Sequence, residues 1–297
     1  MSSSFLVPIV IALMSTISLA AAPPASQPFD EYILDFISRT DPQLQAGVEK
    51  IDEDLRTKYA MTREQTAVGV LDLRTQRLAL INPDDMEYGA SVPKIGILLA
   101  YFELRPWLVQ DLDPAVRKEL GEMIKISSNE MASKYSHEIG LKTIQAVLDK
   151  YKLYDPTHGG GIWVGKHYGK DKERYPDPVG RNSHAATVRQ VMRYYLFLEQ
   201  GKLVSPEVSK TMRQIFESPD IAHDQMKFVK GLAGREGLKI IRKSGSWENW
   251  LHDSAVVTGP DRHYILVALT EHPKGDDYLA DLAPAVDDLL MKGTMKK

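Results

Sequence analysis

A serine and a lysine stand three residues apart, at Ser91 and Lys94, in "GASVPKIGILLAY". Pro93 between them suits the first turn of a helix, and the apolar run that follows supplies a buried body. In such a turn, residues three apart share a face. The hydroxyl then lies by a helix N-terminus, whose dipole favours a developing oxyanion, with an amine in reach. Burial would lower the pKa of that amine and let it take a proton, which activates a serine without histidine. The same residues also describe a serine N-cap and a lysine stem lying along a structural helix. "SSN", Ser127 to Asn129, falls between two helical stretches, where serine and asparagine are ordinary caps. "KSGSW", Lys243 to Trp247, falls in a predicted strand, where a glycine marks either a bulge or the close approach of another backbone.

The elements that must carry these residues follow from periodicity. "FDEYILDFISRT" and "LQAGVEKIDEDLRTKYA" have helical spacing, and "TAVGVLDLRTQRLALI" is two alternating runs around a turn near Arg74-Thr75-Gln76, a hairpin. The middle of the chain is a series of helices: "VPKIGILLAYFEL", "DPAVRKELGEMIKIS", "SNEMASKYSHEIG", "LKTIQAVLDKYK", "AATVRQVMRYYLFLEQG" and "SPEVSKTMRQIFES". An interruption rich in Gly, Pro, Lys and Asp runs from Tyr154 to Ser183, and an irregular stretch of that length in a compact domain points to function or disorder. "LKIIRKSGSW", "LHDSAVVTGP" and "HYILVALTE" are strands, closed by the amphipathic helix "YLADLAPAVDDLLMKG". One sheet forms only if the two ends of the chain meet, with the helical middle as a second lobe and a cleft between. The expected class is therefore α/β of the α+β type: an antiparallel sheet of about five strands flanked by helices, plus a helical lobe. The lobes span about 28–86 with 235–297, and about 87–234, in one domain from residue 21 to 297.

Composition narrows the function. With 43% hydrophobic and 26% charged residues the chain is globular, and a net charge of -3 without an arginine stripe excludes nucleic acid as partner. There is no cysteine, which rules out disulfides, a thiol nucleophile and lipid anchoring through cysteine. "FLVPIVIALMSTISLAAAP" has the length and small-residue ending of a secretory signal, broken by Pro8 and short for a membrane span. Its n-region lacks Lys and Arg. Cleavage near Ala20 is expected, giving a signal peptide over residues 1–20, a periplasmic or secreted product with no stable membrane insertion, and a monomer.

Jointly, S-x-x-K, S-x-N and K-[ST]-G occur in that order, with 36 residues from Ser91 to Ser127 and 116 from Ser127 to Lys243. They fall on a helix start, an inter-helix loop and a strand. In this the chain resembles the penicillin-recognising serine enzymes, and in size and layout most the class A β-lactamases, over nearly the whole mature chain. The resemblance implies a β-lactamase/transpeptidase-like fold and a serine hydrolase that opens β-lactam rings. It makes Ser91 the acylated nucleophile, Lys94 its proton partner and Ser127 the relay to the β-lactam nitrogen. Asn129 would bind the substrate side-chain amide. Lys243 and Ser244 would hold the substrate carboxylate, with Lys243 also tuning Ser127, and the N–H groups of Ser91 and Ser246 would form the oxyanion hole. Ser128 replaces the family's usual aspartate, at a position that faces away from substrate. No cofactor is implied. The alternatives are a D,D-peptidase acting on peptidoglycan peptides and a protein that traps β-lactams.

One motif departs from the family. Class A enzymes carry a water-activating glutamate within E-x-x-L-N, expected here near "VGKHYG". The interval holds a single glutamate, Glu173, in "DKERYPDP", without Leu-Asn after it. His167 in "GKHYG" and His184 in "RNSHAAT" flank the interval, and a neutral imidazole can serve as a base near pH 7. Each of the three also has an ordinary structural or surface explanation. Lys166, Lys170, Lys172 and Arg174 form a basic run, either a solvated loop or an attractor of anionic substrate. The chain has eight histidines but no H-E-x-x-H or H-x-H pair. His158, His167 and His184 could converge, yet spacing does not require it, so no metal site is expected.

Overall fold

The computed structural model describes residues 28–294, so the predicted signal segment lies outside the described residues. After a short 3-10 turn (Phe29–Glu31) come α1 (Pro42–Tyr59), β1 (Thr66–Asp72), β2 (Arg77–Ile81) and β3 (Glu87–Tyr88). Four helices follow: α2 (Lys94–Leu104), α3 (Pro114–Lys125), α4 (Asn129–Ile139) and α5 (Leu141–Lys150). Then come β4 (Tyr154–Asp155), β5 (Gly160–Gly161), β6 (Trp163–Val164) and β7 (His184–Ala186), and after them α6 (Val188–Glu199), α7 (Pro206–Glu217) and α8 (Lys227–Gly231). The chain closes with β8 (Lys239–Arg242), β9 (Gly245–Trp247), β10 (Trp250–Gly259), β11 (Arg262–Glu271) and α9 (Gly275–Thr294).

The main sheet is antiparallel in the order β2-β1-β11-β10-β8, with β9 also paired to β10. The two ends of the chain therefore do meet, at the β1–β11 ladder. Strand alternation sends side chains to opposite faces. Ala67 and Leu71 of β1, with Ile265 and Val267 of β11, pack toward the helical lobe. Val68 and Val70, with Leu266 and Ala268, pack toward α1, α8 and α9. Both faces of the central strands are covered, so they read as continuous apolar runs.

Three features differ from the sequence expectation, and one alternative it left open is decided. The helix suggested by "FDEYILDFISRT" is one 3-10 turn followed by irregular chain, and α8 was not anticipated. The interval after Tyr154 is not wholly irregular: β6 and β7 join β3 in a three-stranded sheet, and β4 pairs with β5. Finally, the glycine of "KSGSW" is no bulge. The register to β10 runs unbroken from Arg242↔Ala255 to Gly245↔His252, and Lys243 N–H donates to Ser254 O at 2.9 Å in between.

α2 lies in the middle of the molecule, with every residue from Lys94 to Phe102 buried. It therefore serves as a fixed post on which the chemistry of its first turn is mounted.

Candidate active site

Ser91 precedes α2 in a tightened entry. Val92 N–H donates to Gly89 O at 2.9 Å, Lys94 N–H to Ser91 O at 3.3 Å and Gly96 N–H to Pro93 O at 2.9 Å. These are 3-10 bonds, and a 3-10 turn eclipses residues three apart, so Ser91 and Lys94 leave the turn on one side. Ala90 just before has φ of 47°, a left-handed conformation that costs an alanine free energy and that the surroundings must enforce. Tyr168 Oη donates to Ala90 O at 3.1 Å from one side. From the other, His252 Nε2–H donates to Tyr88 O at 2.8 Å, while its Nδ1 accepts from Thr270 N–H at 3.1 Å. Burial holds that imidazole neutral, with its pKa pushed down to about 4.

Lys94 Nζ reaches Ser127 O at 2.6 Å, Asn129 Oδ1 at 2.7 Å and Ser127 Oγ at 3.2 Å, and it stands 4.4 Å from the centre of the Tyr168 ring. Three acceptors favour the ammonium and burial opposes it. Burial prevails, and the pKa falls to about 7. Lys243 Nζ donates to the same Ser127 hydroxyl at 2.9 Å and to Ser244 O at 2.7 Å. Its pKa is held well below the ordinary lysine value by complete burial, with the charge of Lys94 adding to the effect. A hydroxyl that accepts from two amines keeps its own O–H to donate elsewhere. Ser127 has φ of 61°, a left-handed conformation, and in it both its carbonyl and its hydroxyl face Lys94. Ser128 next to it caps α4, its Oγ accepting from Met131 N–H at 3.2 Å.

Gly245 brings β9 against this entry. A Cβ there would lie 3.0 Å from Gly89 O and 3.1 Å from Ser91 N, so any side chain would push the strand and the serine entry apart by a few tenths of an ångström. Lys227 stands behind β9, donating to Gly245 O at 2.7 Å, Ser246 Oγ at 2.6 Å and His252 O at 3.2 Å. Neither Lys227 nor Tyr168 was singled out in the sequence. Lys227 sits in the short, partly apolar "QMKFVKG", without a motif. Tyr168 hides between a histidine and a glycine in a loop.

Ser91 opens on a cleft of ≈ 380 Å³ whose lining includes Asn129, His167, Tyr168, His184 and Ser246. Among the described residues, no aspartate or glutamate lines it. Glu173 is exposed, and its carboxylate lies 3.4 Å from His167 Nε2 rather than at the serine. His167 is buried, with Nδ1 2.8 Å from Ser136 Oγ and its ring stacked 3.6 Å from His137; burial lowers its pKa. His184 is pushed down to about 3 by burial, packs against the Tyr168 ring at 4.2 Å, and its Nε2 is buried without a hydrogen bond. His158 does not join them: it stacks on Phe36 at 4.0 Å and bonds Asp155. No cluster of metal-binding side chains occurs among the described residues. Nor, among those residues, is any helix long and apolar enough to cross a membrane.

A sequence model described as the Beta-lactamase enzyme family matches residues 108–289. No curated protein matches the chain. Among solved structures, a β-lactamase from Sphaerobacter thermophilus is similar at a TM-score of 0.64 and 14% identity, over 82% of this chain and 97% of that one. A β-lactamase from Chitinophaga pinensis has a TM-score of 0.63 at 12% identity, over 84% of this chain and 99% of that one. A PBP-A mutant in an acyl-enzyme complex with penicillin G also has a TM-score of 0.63, at 16% identity, over 86% of this chain and all (100%) of that one. At these identities the likeness concerns the fold, and it matches the expected sheet flanked by helices.

Proposed function

The chain belongs to the beta-lactamase enzyme family, and from that premise we propose that it opens β-lactam rings through an acyl-enzyme on Ser91. The observation that carries the proposal is the Ser127 hydroxyl shared by two buried lysines, Lys94 and Lys243, beside the cleft of Ser91. With its pKa near 7, Lys94 is about half neutral at pH 7 and can accept the Ser91 proton as Oγ attacks the lactam carbonyl. The N–H groups of Ser91 and Ser246, brought together by Gly245, receive the oxyanion. As the C–N bond breaks, Ser127 Oγ gives its proton to the leaving nitrogen and regains one from Lys94 or Lys243. Asn129 and Ser246 border the acyl side chain, and Lys243 with Ser244 meets the substrate carboxylate.

Release of the acyl group needs a water and a base. Of the three candidates, His167 fits best: it lines the cleft, has a less depressed pKa than His184, and with Nδ1 bonded to Ser136 Oγ keeps Nε2, 3.4 Å from Glu173, as the nitrogen that can take a proton. The carboxylate-free cleft favours a second reading, in which release is slow and the protein acts as a penicillin-binding D,D-peptidase. Intact-mass measurement over time with benzylpenicillin separates the two. A transient adduct with accumulating penicilloate supports the hydrolase; a lasting adduct, with D-alanine released from a stem peptide, supports the peptidase. Export to the periplasm or medium, with cleavage near Ala20, and a monomeric state belong to the same proposal. N-terminal sequencing and the solution mass of the mature protein test them.

A further inference from the structure

The basic run Lys166, Lys170, Lys172 and Arg174 has no evident role in the chemistry above, yet two of its four members, Lys166 and Arg174, line the cleft. Lys166 donates to Gly169 O at 2.9 Å, which leaves two ammonium protons for another acceptor. Arg174 forms no ion pair among the described residues. The acids of the same loop are engaged elsewhere: Asp171 with His137 at 2.9 Å, and Glu173 with His167 at 3.4 Å. Glu248, beyond Trp247, is the remaining acid whose field reaches the cleft, where it and Arg174 act on Tyr88 in opposite senses. His184 lies behind these cations, in the cleft wall, its buried ring packed on Tyr168. Trp247 at the cleft edge is 58% exposed and offers an apolar face.

We infer that Lys166 and Arg174 form a second anion subsite on the cleft wall, selecting acyl donors whose side chain carries its own carboxylate beside an apolar group. This rests on the reading of Ser91 as the acylated residue. The ring carboxylate is assigned to Lys243 and Ser244; the subsite takes a different one, on the acyl side chain.

Two penicillins that differ by one carboxylate make the test: carbenicillin and benzylpenicillin. Their second-order acylation rate constants are measured by intact mass for the wild type, Arg174→Ala, Lys166→Ala and the double variant. Lys170→Ala and Lys172→Ala, outside the cleft, control for general charge attraction. The ratio of carbenicillin to benzylpenicillin rates should fall about tenfold in the double variant, as expected for lost charge-assisted contacts. It should stay within about twofold in the two controls, since their charges are solvated and screened. An equal loss in controls and double variant, or an unchanged ratio in the double variant, overturns the subsite while leaving Ser91 acylation intact. Absence of any adduct from either penicillin in the wild type overturns the Ser91 reading, and the subsite with it.

Discussion

Ser127→Ala is the perturbation whose size the geometry constrains best. The change deletes one oxygen that accepts from Lys243 at 2.9 Å and from Lys94 at 3.2 Å, and leaves the Ser127 carbonyl, with its 2.6 Å contact to Lys94, in place. Alanine tolerates φ of 61° no better than serine does, so the backbone strain is unchanged. Two effects follow, one on stability and one on rate. Two hydrogen bonds from buried lysines are lost, which loosens both side chains at a cost in stability. The proton relay to the leaving nitrogen also disappears, and a positioned acid contributes about 10²–10⁴-fold. Acylation by benzylpenicillin should therefore slow by about 10²–10⁴-fold, or about 3–5 kcal/mol in barrier. Ser127→Gly separates chemistry from conformation, because glycine relieves the left-handed strain and also lacks the hydroxyl. Stopped-flow acylation with a chromogenic cephalosporin should give similar losses for Ala and Gly. An Ala variant within twofold of wild type would refute the relay; a Gly variant much faster than Ala would show that strain, not the hydroxyl, was measured.

Other outcomes follow from the same geometry. Lys94 has a pKa near 7 in the fold against 10.5 ordinarily, so between those values the unfolded chain binds more protons and stability rises with pH. Lys94→Met should flatten this rise, by up to about 1.4 kcal/mol per pH unit, when urea midpoints at pH 7 and pH 9 are compared; equal slopes would contradict burial as the cause. The acylation rate should climb with pH through about 7 as Lys94 becomes neutral, and a flat profile from pH 5 to 9 would remove Lys94 as the base. Gly245→Ala places a methyl 3.0 Å from Gly89 O and 3.1 Å from Ser91 N, so the strand must retreat. It should cost about 1–3 kcal/mol of stability by overpacking, and acylation should fall at least about tenfold; thermal melts and rate constants check both. His167→Ala should lengthen the acyl-enzyme lifetime by about 10²-fold or more, Glu173→Gln by less and His184→Ala least. If His167→Ala leaves the lifetime unchanged, His167 is not the base.

Much of this arrangement was legible in the sequence because its elements are strongly patterned. The hairpin at 66–81, the six middle helices and the three closing strands carry enough apolar periodicity to define themselves, and of the two readings open for Gly245 the close backbone approach is the one found. The misses have physical causes. "FDEYILDFISRT" has helical spacing but is held largely irregular by distant side chains: Gln200 donates to Phe29 O and Tyr32 O, and Arg189 to Asp35 O. Those contacts satisfy carbonyls that a helix would have used internally. The two- and three-residue strands between Glu87 and Ala186 are too short for any period to register, since their partners across the sheet define them. Tyr168 and Lys227 matter through what lies across from them, Lys94 and Ser246, and no local spacing encodes that. The sequence holds no E-x-x-L-N in the long interval, and among the described residues no carboxylate lines the cleft. What the sequence did not show is that an aromatic ring stands beside Lys94 and that Glu173 reaches an imidazole instead of the serine.

The central claim is that Ser91 is the nucleophile. Purified protein mixed with benzylpenicillin, quenched in acid and digested, reports the acylated residue by peptide mapping. One penicilloyl group is expected, on Ser91, absent from Ser91→Ala and formed about 10²-fold or more slowly in Ser127→Ala. An adduct on any other residue, or one that persists in Ser91→Ala, would contradict it.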